Sequence, residues 1–266
     1  MRKTIYRLCV VASILLASIA PVRAADDPSP IPKTENTWRF EVTPYLWSPG
    51  LRGTLNLYYA VVKSVDMTSS NVLGDLKSGG MISAEAHKGK WGIMGDFVSA
   101  TLQKSGSVPL QDGNLRAVLG DKATAQLTVL TGVVSYTVAN TKDVYVDALL
   151  GVRAIDITAT VNVNIDGTSD QRSSSKKTST VDPIIGAKGR YRIAESSWYI
   201  PFYGDIGSGG GTTNLTWQAM TGIGKTFNNL VDASLTYRAL YFDMKDGGVL
   251  AKATMFGPQV AVTFKF

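Results

Sequence analysis

Apolar and polar residues alternate along most of the chain after residue 37. The alternation is strictest at 143–154, 181–193, 231–241 and 256–266, where every charged residue falls on the less apolar parity. A two-residue period places successive side chains on opposite faces of a β-strand. No segment shows a sustained helical period, so the pattern predicts an all-β protein whose sheet has one apolar and one polar face.

Turn residues divide this pattern into ten antiparallel strands. Pro44 and Pro49 interrupt the first strand, and because proline cannot donate to the ladder, a bulge or bend is expected there. If that strand divides, or if 105–122 forms its own pair, the count becomes twelve, and eight is the other nearby count. The predicted strands are 38–57, 81–87, 91–103, 124–138, 143–163, 180–193, 198–206, 213–227, 230–243 and 251–266.

Alternation does not show whether the apolar face packs inside a soluble barrel or contacts lipid around a membrane barrel. Several predicted strands have twelve or more residues, whereas soluble strands have about five or six and tilted membrane strands need about 9–11. The connections also alternate between short and long, as in outer-membrane barrels. The short turns are 88–90, 140–142, 194–197 and 228–229, and the long loops are 61–79, 105–122, 164–179, 207–212 and 245–250.

Aromatic residues cluster at the strand ends next to the short turns. Amphipathic rings are favoured at a membrane–water interface. They therefore predict an aromatic girdle on the periplasmic side of an up-and-down transmembrane β-barrel. Its expected members are Trp38, Trp91, Tyr136, Tyr191, Trp198, Phe227 and Phe266.

The N-terminus has the composition of an export signal. Three basic residues precede an apolar run at 8–19 that is too short to span a bilayer, and small residues at 22 and 24 fit a signal-peptidase site. Residues 1–24 are therefore expected to be a cleaved signal peptide. The proline-rich segment 25–36 is expected to be a flexible periplasmic linker, and 37–266 the barrel domain.

Removal of the signal peptide changes the composition. The whole chain has a net charge of +6 and one cysteine. Residues 1–24 hold that cysteine and four of the 27 basic residues but none of the 21 acidic ones, so the remainder has a net charge of +2 and no thiol. This balance gives no reason to expect a nucleic-acid partner, and it excludes a disulfide framework and a cysteine nucleophile.

Charged residues on the polar parity are expected to face the lumen. They either pair across strands and fill the interior, or line a narrow path that selects solutes. Their nearly balanced signs and long side chains favour a mostly filled interior. A basic row at 188–192 lies near the periplasmic end, so any conductance is expected to favour anions. The lumen-lining candidates are Arg39, Glu41, Glu85, Asp96, Asp147, Arg153, Asp182, Lys188, Arg190, Arg192, Asp205, Asp232 and Arg238.

The sequence offers little for catalysis. Outer-membrane enzymes place a histidine and an acid near the outer rim, but His87, the single histidine, precedes the 88–90 turn and is expected beside Glu85 at the periplasmic end. No G-x-S-x-G nucleophile turn is present. The GIGKT segment at 222–226 resembles the end of a phosphate-binding loop but lacks its first glycine and its following helix. We therefore expect no catalytic residue, metal or cofactor.

Two of the long connections have local signals. Ser69 precedes apolar residues at 72, 73 and 76, so a helical turn is expected at 69–76, over the barrel mouth or in the lumen. The polar segment 168–180 carries three basic residues and is expected to be a solvated loop. Contact of this segment with lipopolysaccharide phosphates or a partner is the alternative.

Two sets of residues resemble known outer-membrane proteins. The C-terminal V-x-V-x-F-x-F run, with Phe264 and Phe266, resembles the signal recognised by the outer-membrane assembly machinery. The opening WRFEVTPYLW at 38–47, and KGKWG at 88–92 followed by Asp96, resemble a family of uncharacterised proteobacterial outer-membrane barrels, OmpA- or porin-like in the broad sense. The resemblance covers essentially the whole mature chain and brings no activity. It implies a Gram-negative source, with periplasmic chaperones and the assembly machinery as partners.

The sequence thus predicts an integral outer-membrane barrel without enzymatic activity, surrounded by outer-membrane lipid and lipopolysaccharide. Its leading role is a contribution to envelope integrity, or minor solute permeation through a narrow salt-bridged lumen. A true channel for small polar or anionic solutes is the first alternative. An enzyme that modifies outer-membrane lipids or peptides is the second. Neither a solute nor an oligomeric state follows from the sequence.

Overall fold

Antiparallel β-strands make up nearly all of the part of the chain that the structure, a computed structural model, describes: residues 28–56, 62–104, 108–112, 115–165, 171–209, 213–244 and 250–266. The predicted signal peptide and parts of the predicted long loops lie outside the described residues. No helix in these ranges is long and apolar enough to cross a membrane. In chain order the elements are β1 (Trp38–Trp47), β2 (Gly50–Asn56), β3 (Val62–Met67), α1 (Ser69–Asp75), β4 (Leu76–Lys88), β5 (Trp91–Lys104), β6 (Val108–Asp112), β7 (Leu115–Asn140), β8 (Val144–Ile165), β9 (Gln171–Arg192), β10 (Trp198–Gly207), β11 (Thr213–Thr226), β12 (Val231–Met244) and β13 (Leu250–Lys265).

Ten of these strands pair in a closed ring, in the order β1-β4-β5-β7-β8-β9-β10-β11-β12-β13. The ring closes where β1 pairs with β13, for example Val42 with Phe264. The backbone of Phe266 also exchanges hydrogen bonds of 2.9 and 3.1 Å with that of Phe40. The predicted all-β, up-and-down antiparallel barrel of ten strands is therefore confirmed. We refer to its two ends as the short-turn end and the long-loop end.

The predicted interruption of the first strand is a break between β1 and β2 at residues 48 and 49. Both pieces pair with β13, so the break adds no strand to the wall. Within the described residues the pairing of β1 with β4 ends at Pro44 and Ile82, and beyond it β3, not β4, lies next to β2. The barrel therefore keeps ten strands instead of twelve. It has an unpaired seam between β4 and the β1–β2 side at the long-loop end.

Strands extend further at the long-loop end than the sequence indicates. Pairing of β8 with β9 continues to Asn164 and Gln171, so most of the predicted loop 168–180 is strand. The predicted loop 105–122 likewise contains β6 and the start of β7. Beyond a membrane both faces of a strand meet water, so the alternation on which the prediction depends disappears, while backbone hydrogen bonds continue the ladder.

The apolar parity faces outward and the polar parity inward, the reverse of a soluble barrel. Leu235, in the middle of β12, points out and is 54% exposed, whereas its neighbours on the opposite parity, Ser234 and Thr236, face the lumen. The seven aromatic residues predicted for a girdle are all exposed at the short-turn end, and Trp91 packs edge-on against Tyr136 with ring centroids 4.9 Å apart. A wide exposed apolar band of this kind requires an apolar environment around the barrel.

Candidate functional site

The interior of the barrel is the candidate site, and it has two chemically different halves. Its short-turn half holds a dense set of charged side chains. Its long-loop half holds a cluster of buried apolar residues: Tyr45, Trp47, Val98, Val129, Ile155, Ile157, Leu240, Phe242, Met244, Ala253, Met255 and Ala261. The first half follows from the inward charges that the alternation predicts. In the second half, the residues that point into the lumen are also apolar. A two-residue pattern cannot show which apolar residues point inward and which point outward.

A network of alternating charges crosses the mouth at the short-turn end. Arg190 donates to Asp232 at 2.7 Å and to Glu41 at 3.2 Å. Lys265 donates to the other oxygen of Asp232 at 2.7 Å, and Arg39 Nε lies 3.5 Å from Glu41. The network links β9 across the lumen to three neighbouring strands of the ring, β12, β13 and β1. These charges therefore neutralise one another across the lumen and hold the wall strands together.

His87 lies in a second cluster at the same depth. Its Nε2 atom is 2.7 Å from Glu85, 3.3 Å from the Ser135 hydroxyl and 3.6 Å from Asp147. Glu85, His87 and Asp147 each offer a ligand atom within 4.8 Å of the others, a spacing compatible with a metal ion. However, Lys188 forms an ion pair with Glu85 and lies 3.9 Å from Asp147. The ammonium of Lys188 already supplies the positive charge that this cluster attracts, so the residues do not favour a metal site.

The same cluster contains a serine, a histidine and acids, but not in the order that activates a nucleophile. Ser135 and Glu85 both approach Nε2 of His87, and Nδ1 has no hydrogen-bond partner among the described residues. A catalytic triad needs the acid on the opposite ring nitrogen from the nucleophile. A Cβ at Gly92 would overlap Nε2 of His87, so the imidazole fits only because residue 92 is glycine. The geometry indicates a packed structural histidine.

Arg238 occupies the boundary between the polar and apolar halves. It donates hydrogen bonds of 2.8 Å to Asp96, Tyr45 and Gln218. Tyr45 in turn donates to the second oxygen of Asp96 at 2.7 Å, which closes a three-residue cycle. The Trp47 ring lies 5.0 Å from the guanidinium on the apolar side. Arg238 and Asp96 are both buried, so each depends on the other for compensation of its charge.

Arg153 forms a corresponding buried pair on the opposite wall. Arg153 and Asp205 are in direct ion-pair contact, and neither side chain is exposed. Arg153 also donates to Thr131 and Thr216 at 3.3 and 3.2 Å. Asp182 faces Arg153 in the strand register and is buried, but within the described ranges it belongs to no ion pair.

Arg192 differs from the other lumen candidates because it lies at the β9–β10 turn. Its guanidinium donates to the Ser196 carbonyl at 2.8 Å and to the Glu195 carbonyl at 2.5 Å. The structure therefore brings Lys188 and Arg190 into internal ion pairs and uses Arg192 to hold a turn. The expected basic row is not a continuous row of free cations, which removes the structural basis for the expected anion preference.

The segment 28–36, predicted to be a flexible linker, instead lies across the short-turn mouth. Pro30 and Ile31 are buried. Arg190 donates to the Pro30 carbonyl at 3.3 Å, and the amide of Gly89 donates to the Glu35 carbonyl at 2.8 Å. Prolines lack amide donors and hold the chain extended, so its carbonyls are free to accept from the rim. Sequence periodicity cannot reveal such a segment because it has no regular secondary structure.

Between this segment and the apolar cluster lies a polar cavity of about 170 Å³. Its walls carry charged residues of both short-turn networks together with three larger polar side chains: Arg39, Glu41, Glu85, Lys188, Arg190, Tyr199, Tyr203 and Arg238. Pro32 of the proline segment lines the cavity on the short-turn side, and Tyr45 and Ala261 of the apolar cluster line it on the other side. Its size and polar lining suit water and small ions.

Helix α1 (Ser69–Asp75) lies at the long-loop end, where the sequence predicts a helical turn at 69–76. The cap is Thr68, whose hydroxyl accepts from the Asn71 amide at 3.3 Å, one residue before the predicted Ser69. Val72 is buried, so the helix packs its apolar side toward the barrel mouth. Beneath it lies a second cavity of about 100 Å³, with an almost wholly apolar lining.

Comparison with known proteins identifies the fold class. No protein-family model and no curated protein matches this sequence. The outer-membrane protease OmpT from Escherichia coli superposes with a TM-score of 0.56 at 10% identity, over 88% of this chain and 98% of that chain. Ail, the attachment invasion locus protein of Yersinia pestis, has a TM-score of 0.34 at 10% identity, over 87% and 99% of the two chains. The similarity to OmpT shows an outer-membrane barrel fold and no activity.

Proposed function

We propose that this protein is an integral outer-membrane barrel of a Gram-negative bacterium, and that it contributes to envelope integrity as a closed, non-enzymatic structural component. The short-turn end would face the periplasm and the long-loop end the exterior. The barrel fold and the exposed apolar band support this location. Export by a cleaved signal peptide at 1–24, and membership of the uncharacterised proteobacterial barrel family, belong to the same proposal.

The observation that carries the proposal is the filled interior. Segment 28–36 and the ion-pair networks occupy the periplasmic half, and the apolar cluster occupies the outer half. A ten-stranded barrel is only slightly wider than the eight-stranded size that side chains just fill. Among the described residues, paired charges and packed apolar groups occupy much of this narrow lumen, which supports a barrel closed to hydrated solutes.

The proposed closed lumen predicts no channel conductance. In planar bilayers the mature chain is expected to give no discrete current steps, and a variant lacking 28–36 is expected to remain silent because the apolar cluster still closes the outer half. A general porin inserted under the same conditions serves as the positive control. Discrete steps from the full chain would favour the alternative of a small-solute channel, and steps from the truncated chain alone would show that segment 28–36 is the gate.

Non-enzymatic character is proposed from the geometry of the His87 cluster, where the acid and the serine share one ring nitrogen. A hydrolytic or acyl-transfer activity on envelope lipids or peptides that disappears in His87→Ala would contradict it. The His87 ring packs against Gly92, so His87→Ala also removes packing. A His87→Gln variant keeps a polar side chain of similar length and therefore distinguishes loss of chemistry from loss of packing.

The proposed location predicts the behaviour of the protein during fractionation. The chain should be found with the outer membrane and should be extracted only by detergent, because its exposed apolar band would otherwise meet water. An unboiled sample should also migrate differently from a boiled sample on a denaturing gel, since the closed strand ring resists detergent. Recovery in the soluble periplasmic fraction would overturn the membrane assignment.

The expected partners follow from the same location. Lipopolysaccharide and outer-membrane lipid would surround the band, and periplasmic chaperones with the assembly machinery would act on the chain before insertion. Phe264 and Phe266 lie on β13 and at its end, where the ring closes against β1. Recognition of this terminal strand before closure is consistent with the proposed assembly signal.

A further inference from the structure

The apolar cavity at the long-loop end is the least explained feature of the interior. Its lining comes from β1, β2, α1, β4, β5, β7, β8, β12 and β13, and is apolar apart from Gln126. Its volume of about 100 Å³ is of the same order as the engineered apolar cavity of roughly 150 Å³ that binds benzene and stays dry. The cavity therefore suits a small section of hydrocarbon and does not suit a water cluster.

The cavity lies where the barrel wall is incomplete. The β1–β4 ladder ends at Pro44 and Ile82, and Pro44 has no amide with which to continue it. Beyond this point α1, which joins β3 to β4 in the chain, contacts β2, β3 and β5. In the described residues the wall at this position is thus closed by side chains of a two-turn helix, without a backbone ladder.

An apolar surface connects the cavity with the outside of the barrel through this seam. Leu73 and Leu76 line the cavity, yet they are 53% and 38% exposed. Leu46 and Ile82, on either side of the seam, are exposed members of the outward apolar band. A hydrocarbon chain can therefore pass from the band into the cavity without leaving apolar surroundings.

The depth of the cavity matches the outer edge of the bilayer. Trp217 and Tyr241 stack with ring centroids 5.9 Å apart near the outer ends of β11 and β12. Paired aromatic rings of this kind favour the membrane interface. Tyr241 precedes Phe242, which lines the cavity, so the cavity and the interface lie at about the same height.

We propose that this cavity binds part of one hydrocarbon chain of an outer-leaflet lipid, which enters laterally through the seam between β1 and β4 beside α1. The inference rests on the proposed membrane location and adds a lipid site to it. Burial of a few methylene groups contributes favourably in the same way as burial of core side chains. The bound chain would fill the cavity that the protein's own residues leave beneath α1.

Fluorescence of Trp47, which is buried and lines the cavity, tests the proposal. The other four tryptophans are replaced by phenylalanine, and the full mature chain is reconstituted in phosphatidylcholine vesicles with plain or brominated acyl chains. Bromine quenches indole emission at short range, so Trp47 emission is expected to fall in the brominated vesicles. Ala100→Phe, which places a ring in the cavity, is expected to abolish this quenching.

Two controls separate the outcomes. Ala219→Phe adds the same ring on the outward face of β11 and should leave the quenching of Trp47 unchanged. A variant that retains only the exposed Trp198 should be quenched whether or not Ala100 is replaced. Absence of Trp198 quenching would refute the membrane location itself. The lipid site alone would be overturned if brominated lipid quenched Trp198 but not Trp47. It would also be overturned if Trp47 were quenched equally with and without the Ala100→Phe substitution.

A free apolar molecule from outside is the competing occupant. Adding a short bromoalkane to unbrominated vesicles tests it with the same two variants. If the bromoalkane quenches Trp47 in an Ala100-dependent manner while brominated lipid does not, the cavity binds free hydrocarbons and the lateral lipid proposal is wrong.

Discussion

Replacement of Arg238 by alanine is expected to lower the free energy of unfolding of the barrel by about 3–5 kcal/mol, the range for breaking a buried ion pair by removal of one partner. Arg238 is buried and donates to Asp96, Tyr45 and Gln218 at 2.8 Å each. Its loss leaves a buried carboxylate without its cation. Urea unfolding in phospholipid vesicles, followed by tryptophan fluorescence and gel mobility, measures the difference.

An exposed ion pair provides the matched control. Arg52 and Asp66 approach to 3.3 Å with side chains 65% and 67% exposed, so Arg52→Ala is expected to cost at most about 1 kcal/mol. A double variant, Arg238→Met with Asp96→Leu, should recover most of the lost stability, because no unpaired charge remains. Equal losses for Arg52→Ala and Arg238→Ala would show that water compensates Asp96 and that the lumen is open.

Replacement of Leu235 by arginine is expected to destabilise the barrel by about 2–4 kcal/mol in a bilayer, the cost of a basic residue on the lipid face near the midplane. Leu235 lies on the outward face of β12, between Leu230 at the short turn and Tyr241, which belongs to the outer aromatic pair. In water the same substitution of an exposed leucine would be almost neutral. Vesicle unfolding titrations of both proteins measure the cost.

Depth dependence makes this result specific to a membrane. Leu230→Arg introduces the same group next to the short turn, where the expected cost is about 0–1 kcal/mol because the guanidinium reaches the interface. A difference between the two variants locates the outward face in lipid. If both substitutions are neutral, the outward face is hydrated and the proposed location fails.

In the proposed closed barrel, the two halves of the lumen would exclude solutes by two independent means. In the periplasmic half, charges of opposite sign compensate one another, as in the Arg190 network with Asp232 and Glu41. In the outer half, Phe242 and Leu240 pack in a cluster of buried apolar residues that disfavours water. Removing either half alone would leave the other in place, which is why truncation at 28–36 is expected to leave the barrel silent.

The similarity to OmpT, at 10% identity, is a similarity of backbone fold. A ring of strands can carry many activities, because function depends on the side chains placed on the scaffold. Here the histidine cluster lies at the short-turn end, with Lys188 paired to Glu85 and both Ser135 and Glu85 on one nitrogen of His87. The chemistry of this interior is compensation of charge, which supports a structural role.

Local alternation was sufficient to predict most of the wall. β10, expected at 198–206, spans Trp198–Gly207, and β11, expected at 213–227, spans Thr213–Thr226. The parity of Asp147 and Arg153 also predicted their inward direction. These features follow from sequence because a strand that separates lipid from a polar interior must alternate at every residue, whatever its neighbours are.

Only the tertiary structure decided what fills the lumen. Arg190 meets Asp232 and the carbonyl of Pro30 because strands distant in sequence curve round to face one another, and no local pattern encodes such partners. Leu240 and Phe242 point into the lumen and pack in the apolar cluster. Because apolar residues stand there on both faces of the strand, the sequence shows no alternation that would predict their direction. The alternation of the chain determined that the outer surface of the wall is apolar, because each side chain of a strand faces either lipid or the interior directly. The closure of the ring depends on the pairing of β1 with β13, and the filling of the lumen depends on contacts across it. Both form only when strands distant in sequence come together.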